Sequence, residues 1–181
     1  MYLRSAVVGY GYWGSKHVRV LNGLPEVSVT VVDATEERRI EAQRAFPGVA
    51  VAASLEEVLE RLAAEDVFRV LLVHHPLKSD ARHKRMTDAA ALLALLKRHG
   101  VELILHGHDH IHSTIWVEGP NGNIPAVGVP SASALAHGRY PAAAYNLFRI
   151  EKDNAGWRCE QTVRSLGTGF QIGQIKHVRL I

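Results

Sequence analysis

The chain has a single cysteine, Cys159, in 181 residues. No internal disulfide can form, and a reducing, cytoplasmic setting is the natural expectation. Long apolar runs are missing as well. The Ala/Leu stretch from Ala89 to Leu96 falls far short of the ~18 residues a membrane span requires. There is no signal-peptide pattern, because Met1-Tyr2-Leu3-Arg4 runs straight into an apolar strand and a glycine loop without a cleavage region. No basic run marks a nucleic-acid tail. The net charge of +3 is scattered: residues 1–60 carry 6 Lys and Arg against 8 Asp and Glu, and residues 61–181 carry 15 against 10. That argues against nucleic acid as a partner and leaves room for an anionic ligand.

What is present is the balance of a globular chain, 47% hydrophobic and 22% charged. The length suits one ordinary domain or two very small ones. Histidine is the unusual residue. There are 11, and eight of them (His74, His75, His83, His99, His106, His108, His110 and His112) fall within residues 74–112.

Strand and helix signals alternate. Leu3 to Gly9 reads as a buried strand, and a helix opens at the following glycines and runs to about Leu24. Val27 to Asp33 is a β-branched strand, followed by a polar helix from Thr35 that ends at Phe46-Pro47-Gly48. Ser54 and Glu57 have capping-box spacing, ahead of Leu55, Val58, Leu59 and Leu62 on one helical face. Phe68 to His74 and Val101 to Leu105 are near-continuous apolar runs, as buried parallel strands should be. Between them Ala89, Leu92, Leu93 and Leu96 repeat at helical spacing, and Gly100 closes that helix. Two hairpins follow, one turning at 119–123 and one at 153–156, while residues 167–181 show no clear pattern. The expected fold class is α/β: a mostly parallel sheet with helices on both faces, a Rossmann-like first half and C-terminal antiparallel hairpins. The alternation allows one parallel sheet of order 3-2-1-4-5.

Gly9-Tyr10-Gly11-Tyr12-Trp13-Gly14 is a G-x-G-x-x-G between a buried strand and a helix, and Asp33 lies 19 residues past its last glycine. In that context Gly9 permits the tight turn, Gly11 lets pyrophosphate approach the backbone, and Gly14 lets helix and strand pack closely. A carboxylate at Asp33 suits an adenosine ribose, which favours NAD. The alternative is a tight turn with no ligand, with Asp33 capping the next helix. This stretch, with FPGVAVAASLEEVL after it, resembles the N-terminal domain of the Gfo/Idh/MocA oxidoreductases over about residues 3–60. That family's Glu-Lys-Pro is missing, since the only Glu-Lys here is Glu151-Lys152, followed by Asp153.

Val73-His74-His75-Pro76 closes one buried strand and His106-Gly107-His108-Asp109-His110 closes the next. If the two strands pair, they lie about 4.8 Å apart and bring these imidazoles together. If the second segment is extended, His108 and His110 share a face. Converging imidazoles on rigid strand ends suit zinc, manganese or iron. Residues from about 62 to 164 resemble the C-terminal half of calcineurin-like metallophosphoesterases, through FRVLLVHHPL, DAAALLALLKRHG, VELILHGHDH and VGVPSASA. The resemblance implies that His74 and His108 ligate one metal and His110 a partner metal, the pair acting on a phosphate ester. The family's Asp-x-His, Gly-Asp and Gly-Asn-His motifs do not occur.

The sequence therefore reads as a join: residues 1–60 a half Rossmann unit, residues 61–181 half of a metallophosphoesterase-like domain, with a seam near 56–66. The expected function is a metallophosphoesterase-like hydrolase with an incomplete two-metal site, weak or inactive alone. Its ligand is a phosphate ester or nucleotide, and a second chain is one source of the missing metal ligands. The alternatives are an NAD-binding module (through Gly9, Gly11, Gly14 and Asp33) and a nonfunctional fusion product. Arg82, Lys84 and Arg85 read as a solvated helix face that phosphate can also reach. Trp116, Trp157, Tyr140 and Tyr145 read as packing, His106 and His112 as flanking groups, and Cys159 as a buried strand residue.

Overall fold

A computed structural model describes residues 3–78, 86–167 and 169–181. Arg82, Lys84 and Arg85 lie outside the described residues. The class is α/β with parallel sheets, and the chain forms two compact units, Met1–Asp66 and Val67–Ile181.

In the first unit β1 (Leu3–Val8), β2 (Val27–Val32) and β3 (Ala50–Ala52) form a parallel sheet of order β1-β2-β3. Successive side chains on β2 serve opposite faces, as strand periodicity requires. Val29 and Val31 join Val18 of α1 (Tyr12–Asn22) and Ala42 of α2 (Glu36–Ala45) in one buried cluster. Val32 and Ala52 join Val58 of α3 (Leu55–Ala63) in another. Helices therefore cover both faces of this sheet. The Ser54 hydroxyl accepts the Glu57 N–H at 3.2 Å, and the Glu57 carboxylate accepts the Ala53 N–H at 3.1 Å, so the capping pair forms one residue out of the usual reciprocal register.

In the second unit β4 (Val70–Val73), β5 (Leu103–His106), β6 (Ser113–Gly119) and β7 (Gly122–Gly128) form a sheet of order β4-β5-β7-β6. The β4–β5 and β5–β7 pairs are parallel, and the β6–β7 hairpin turns at Pro120 and Asn121 and adds to the β5 edge. The helix α4 (Ala89–His99) packs beside β6, and Lys97 pairs with Glu118 at 2.8 Å. A second, antiparallel sheet contains β8 (Ala144–Asp153), β9 (Gly156–Leu166) and β10 (Ile172–Arg179). Leu103, Val127, Cys159 and Leu180 fill the layer between the two sheets, with Cys159 fully buried.

Two expectations change. The parallel strands form two sheets rather than one sheet of order 3-2-1-4-5. The tail holds a strand, β10, where no pattern predicted one. Its side chains are exposed almost throughout, so it carries no inward–outward alternation to read, and its ladder to β9 fixes it instead. Among the described residues β4 bonds to β5 alone, and Val70 and Leu72 on it are exposed. No helix of the described residues is long and apolar enough to cross a membrane.

Candidate metal centre

The parallel register sets Val70 beside Leu103 and Val73 beside His106, so the carboxyl ends of β4 and β5 finish together. The Gly107 N–H then donates to the His74 carbonyl at 3.2 Å and ties the two outgoing loops. His74, His75 and His108 converge there, with one ligand atom from each within 4.8 Å of the others. His74 Nε2 lies 3.0 Å from His108 Nδ1, and the rings of His75 and His108 are 4.2 Å apart between centroids.

His108 and His110 both adopt positive φ, 66° and 56°. Left-handed backbone at two non-glycine residues is uncommon and breaks the extended geometry expected for this segment. The two side chains consequently do not share a face in the manner of a strand. His110 lies outside the group of three and meets the Tyr140 ring edge-on, with centroids 6.5 Å apart. Family resemblance implied His74 and His108 on one metal and His110 on a partner metal, with no role for His75. His74 and His75 both sit just past Val73, the last residue of β4.

His106 is buried behind the group. Its Nδ1 is 3.3 Å from the Gly107 carbonyl and its Nε2 is 3.5 Å from the Ser113 hydroxyl. Gly128 makes room for it, since a Cβ there would stand 2.2 Å from Ser113 Oγ and 2.7 Å from His106 Cε1. His112 titrates below the ordinary histidine range, through burial first and the Lys176 charge second.

The three ligand atoms lie within 4.8 Å of one another, and the His74–His108 pair has the spacing of two ligands on one ion. Zinc bonded to imidazole at ~2.0–2.1 Å in a tetrahedral site sets its ligand atoms about 3.3 Å apart. The 3.0 Å separation of His74 and His108 is within a few tenths of an ångström of that. No carboxylate belongs to this group of described residues. A nearby cavity of about 310 Å³, with Leu105, Val127 and Phe148 in its largely apolar lining, does not include the three histidines.

The glycine turn lies in the first unit. Gly9 has φ of +87°, and a Cβ on Gly14 would stand 1.8 Å from the Gly9 carbonyl oxygen, so the tight turn and the close approach are both present. Asp33 Oδ2 accepts the Tyr10 N–H at 2.7 Å and Oδ1 accepts the Thr35 N–H at 2.9 Å. Burial raises the Asp33 pKa, but these bonds and the Arg38 charge outweigh it and hold the carboxyl below the usual range. The Arg38 guanidinium donates to the Tyr10 carbonyl at 3.1 Å and stands 3.2 Å from where a Gly11 side chain would begin.

The imidazoles converge at the carboxyl ends of adjacent parallel strands, where α/β sheets place their ligand sites. The model of the calcineurin-like phosphoesterase family matches residues 5–112, and the chain belongs to that family. The match runs unbroken through the glycine turn and across the expected seam at 56–66, so it takes in both halves. The oxidoreductase resemblance of residues 3–60 has no counterpart in the comparisons. No curated protein matches the chain. Solved structures similar to it include two Vps29 variants from Entamoeba histolytica. The double mutant is 15% identical with a TM-score of 0.40, over 92% of this chain and 89% of that one. The single mutant is 13% identical with a TM-score of 0.39, over 99% of each chain. Vps29 of Chaetomium thermophilum is 12% identical with a TM-score of 0.40, over 99% of this chain and 98% of that one.

Proposed function

We propose that this chain is a metal-dependent phosphoesterase-type hydrolase domain, built around one ion at His74, His75 and His108 and weak in isolation. The observation that carries this reading is the convergence of the three imidazoles at the carboxyl ends of β4 and β5. An all-imidazole set suits zinc, manganese or iron. When bound, such an ion supplies Lewis acidity toward a phosphoryl oxygen and lowers the pKa of water. The chain's own part is to hold three nitrogens on rigid strand ends, with the Gly107–His74 backbone bond keeping the loops in step.

His75 takes the third position here and His110 stands apart, in place of the His74, His108 and His110 set implied by family resemblance. A second ion would need carboxylates, and a second chain that supplies them is the partner this reading implies. The ligand is a phosphate ester or nucleotide, and the setting is cytoplasmic.

Metal content of protein purified without chelator tests the reading. Wild type should hold about one equivalent of a transition metal, and His74→Ala/His108→Ala should lose it. His75→Ala should lose more metal than His110→Ala; the reverse order would restore the His110 set. No metal above background in the wild type overturns the reading.

The glycine turn keeps a second reading, an NAD-binding module, because Gly9 and Gly14 have the backbone geometry such a turn uses. Against it, both Asp33 oxygens already accept backbone bonds. NAD affinity that falls on Gly11→Asp and ignores His74→Ala would favour it. A chain that takes up neither metal nor NAD would favour the nonfunctional reading, although the family match across residues 5–112 speaks against a fusion.

A further inference from the structure

Residues 137–140 close a tight turn. The His137 N–H donates to the Tyr140 carbonyl at 3.0 Å, and the Tyr140 N–H donates back to the His137 carbonyl at 2.9 Å. Gly138 takes φ of +55°, which leaves Arg139 at the tip. The Arg139 guanidinium rests on its neighbour: Nη2 donates to the Tyr140 hydroxyl at 3.3 Å, and the guanidinium carbon lies 5.3 Å from the centre of the Tyr140 ring.

Two observations put this turn beside the segment that follows His108. The Tyr140 ring meets the His110 ring edge-on at 6.5 Å. The Asp109 charge also acts on the Arg139 guanidinium. Asp109 and His110 follow His108 directly, and two peptide units span at most about 7 Å between Cα atoms. The Tyr140 ring, on which the guanidinium rests, therefore lies beside the segment that follows His108, and Asp109 there is a counter-charge to the guanidinium.

We propose that Arg139, seated on Tyr140, recognises the terminal oxygens of a phosphate monoester whose phosphoryl group lies at the His74, His75 and His108 centre. This rests on the reading given under Proposed function and adds a substrate class to it, monoesters before diesters. The argument is one of charge and shape. A phosphate monoester carries about −1.5 to −2 charges near neutral pH and three terminal oxygens. A diester carries a single negative charge and two terminal oxygens. One divalent ion among neutral imidazoles leaves part of the monoester's charge, and at least one of its oxygens, without a cationic partner. A guanidinium fork matches that need in geometry and sign, and the Tyr140 ring holds it in place. The diester makes no such demand.

The test uses the full chain loaded with zinc or manganese, and three variants: Arg139→Gln, Arg139→Lys and Tyr140→Phe. Metal content is measured first, so that loss of the centre is seen separately from loss of recognition. Inorganic phosphate is then titrated calorimetrically, and p-nitrophenyl phosphate is compared with bis(p-nitrophenyl) phosphate as substrates. Arg139→Gln should leave metal content unchanged and weaken phosphate binding about tenfold or more. Arg139→Lys, which keeps the charge but not the fork, should fall between wild type and Arg139→Gln, and Tyr140→Phe should weaken binding less than either. Turnover of the monoester should fall with phosphate affinity, while the diester changes by less than about threefold. Metal bound normally with phosphate affinity unchanged in Arg139→Gln overturns this inference and leaves the metal centre standing. Equal losses on both esters also overturn it. Failure of the wild type to take up metal overturns both.

Discussion

Arg69 and Glu102 form a forked ion pair across the start of β4 and β5, with Arg69 Nη2 2.8 Å from Glu102 Oε1 and Arg69 Nε 3.0 Å from Oε2. The same carboxylate accepts the Arg69 backbone N–H at 2.6 Å, and the guanidinium reaches on to the His99 carbonyl at 3.0 Å. Both side chains are mostly shielded from water, at 15% and 21% exposure. The pair ties together the starts of the two strands whose parallel register ends with the Gly107 N–H on the His74 carbonyl. Glu102→Ala leaves the guanidinium without its carboxylate and should cost about 2–3 kcal/mol. Urea unfolding gives the stability loss. Metal titration of the same variant should show weaker uptake, although Glu102 touches none of the three histidines. A variant with unchanged metal affinity would mean that the strand ends hold their register without this pair.

Gly14→Ala is expected to be among the most damaging single-methyl additions in the first unit. Its Cβ would overlap the Gly9 carbonyl oxygen, at 1.8 Å, and backbone cannot swing aside as a long side chain can. The cost should reach about 3 kcal/mol or more. A melt of Gly14→Ala beside Gly48→Ala separates overlap from turn strain, since nothing lies within 4 Å of a Cβ on Gly48, although its φ is +98°.

Asp33 should make the first unit acid-sensitive. Its carboxyl is held below the usual range in the folded chain. The unfolded chain therefore takes up the proton more readily. The contribution of Asp33 to stability is complete above its unfolded value, about 3.9, and is lost as pH falls through the lower folded value. Asp33→Asn should reduce stability at pH 7 and flatten the acid limb of the urea midpoint against pH. Parallel acid limbs for wild type and variant would assign the sensitivity to other groups.

Gly128→Ala should displace the buried His106 ring, and Ser113→Ala should partly rescue it. The nearest atom to the added methyl is Ser113 Oγ, at 2.2 Å, ahead of the ring carbon at 2.7 Å. A double-mutant cycle on thermal stability should give a favourable coupling of about 1 kcal/mol. Simple additivity would show that the ring, rather than the hydroxyl, bears the collision.

The sequence showed most strands through residue type and turn chemistry. Val27 to Asp33 and Phe68 to His74 announced themselves as β-branched and apolar runs, and the two hairpins by their turn residues. Yet β4 is not the buried strand its apolar run predicted, since Val70 and Leu72 are exposed. Ile172 to Arg179 stayed silent because a strand exposed on nearly all its side chains carries no alternation. For the histidine group, strand pairing brought His74 and His108 into one frame, since both follow paired parallel strands. The approach of His75 to these two, and the place of His110 outside the group, depend on backbone angles past the strand ends. Those angles, φ of 66° and 56° at His108 and His110, leave no mark on residue spacing. Tyr140 read as packing because its neighbour His110 lies thirty positions away in the chain, a proximity that only the tertiary fold creates.

Cys159, fully buried between the two sheets, gives the chain an internal clock. Burial, with a smaller effect of the Glu160 charge, pushes its thiol above the ordinary range, so the closed protein both shields the sulfur and disfavours the thiolate that a disulfide reagent needs. Labelling can proceed only in the moments when the layers part. Where reclosing outruns labelling, the rate falls tenfold for each additional ~1.4 kcal/mol of opening free energy. One sulfur atom therefore times the breathing of the second unit, and a change in that rhythm on adding metal would report whether an ion at the strand ends steadies the core beneath them.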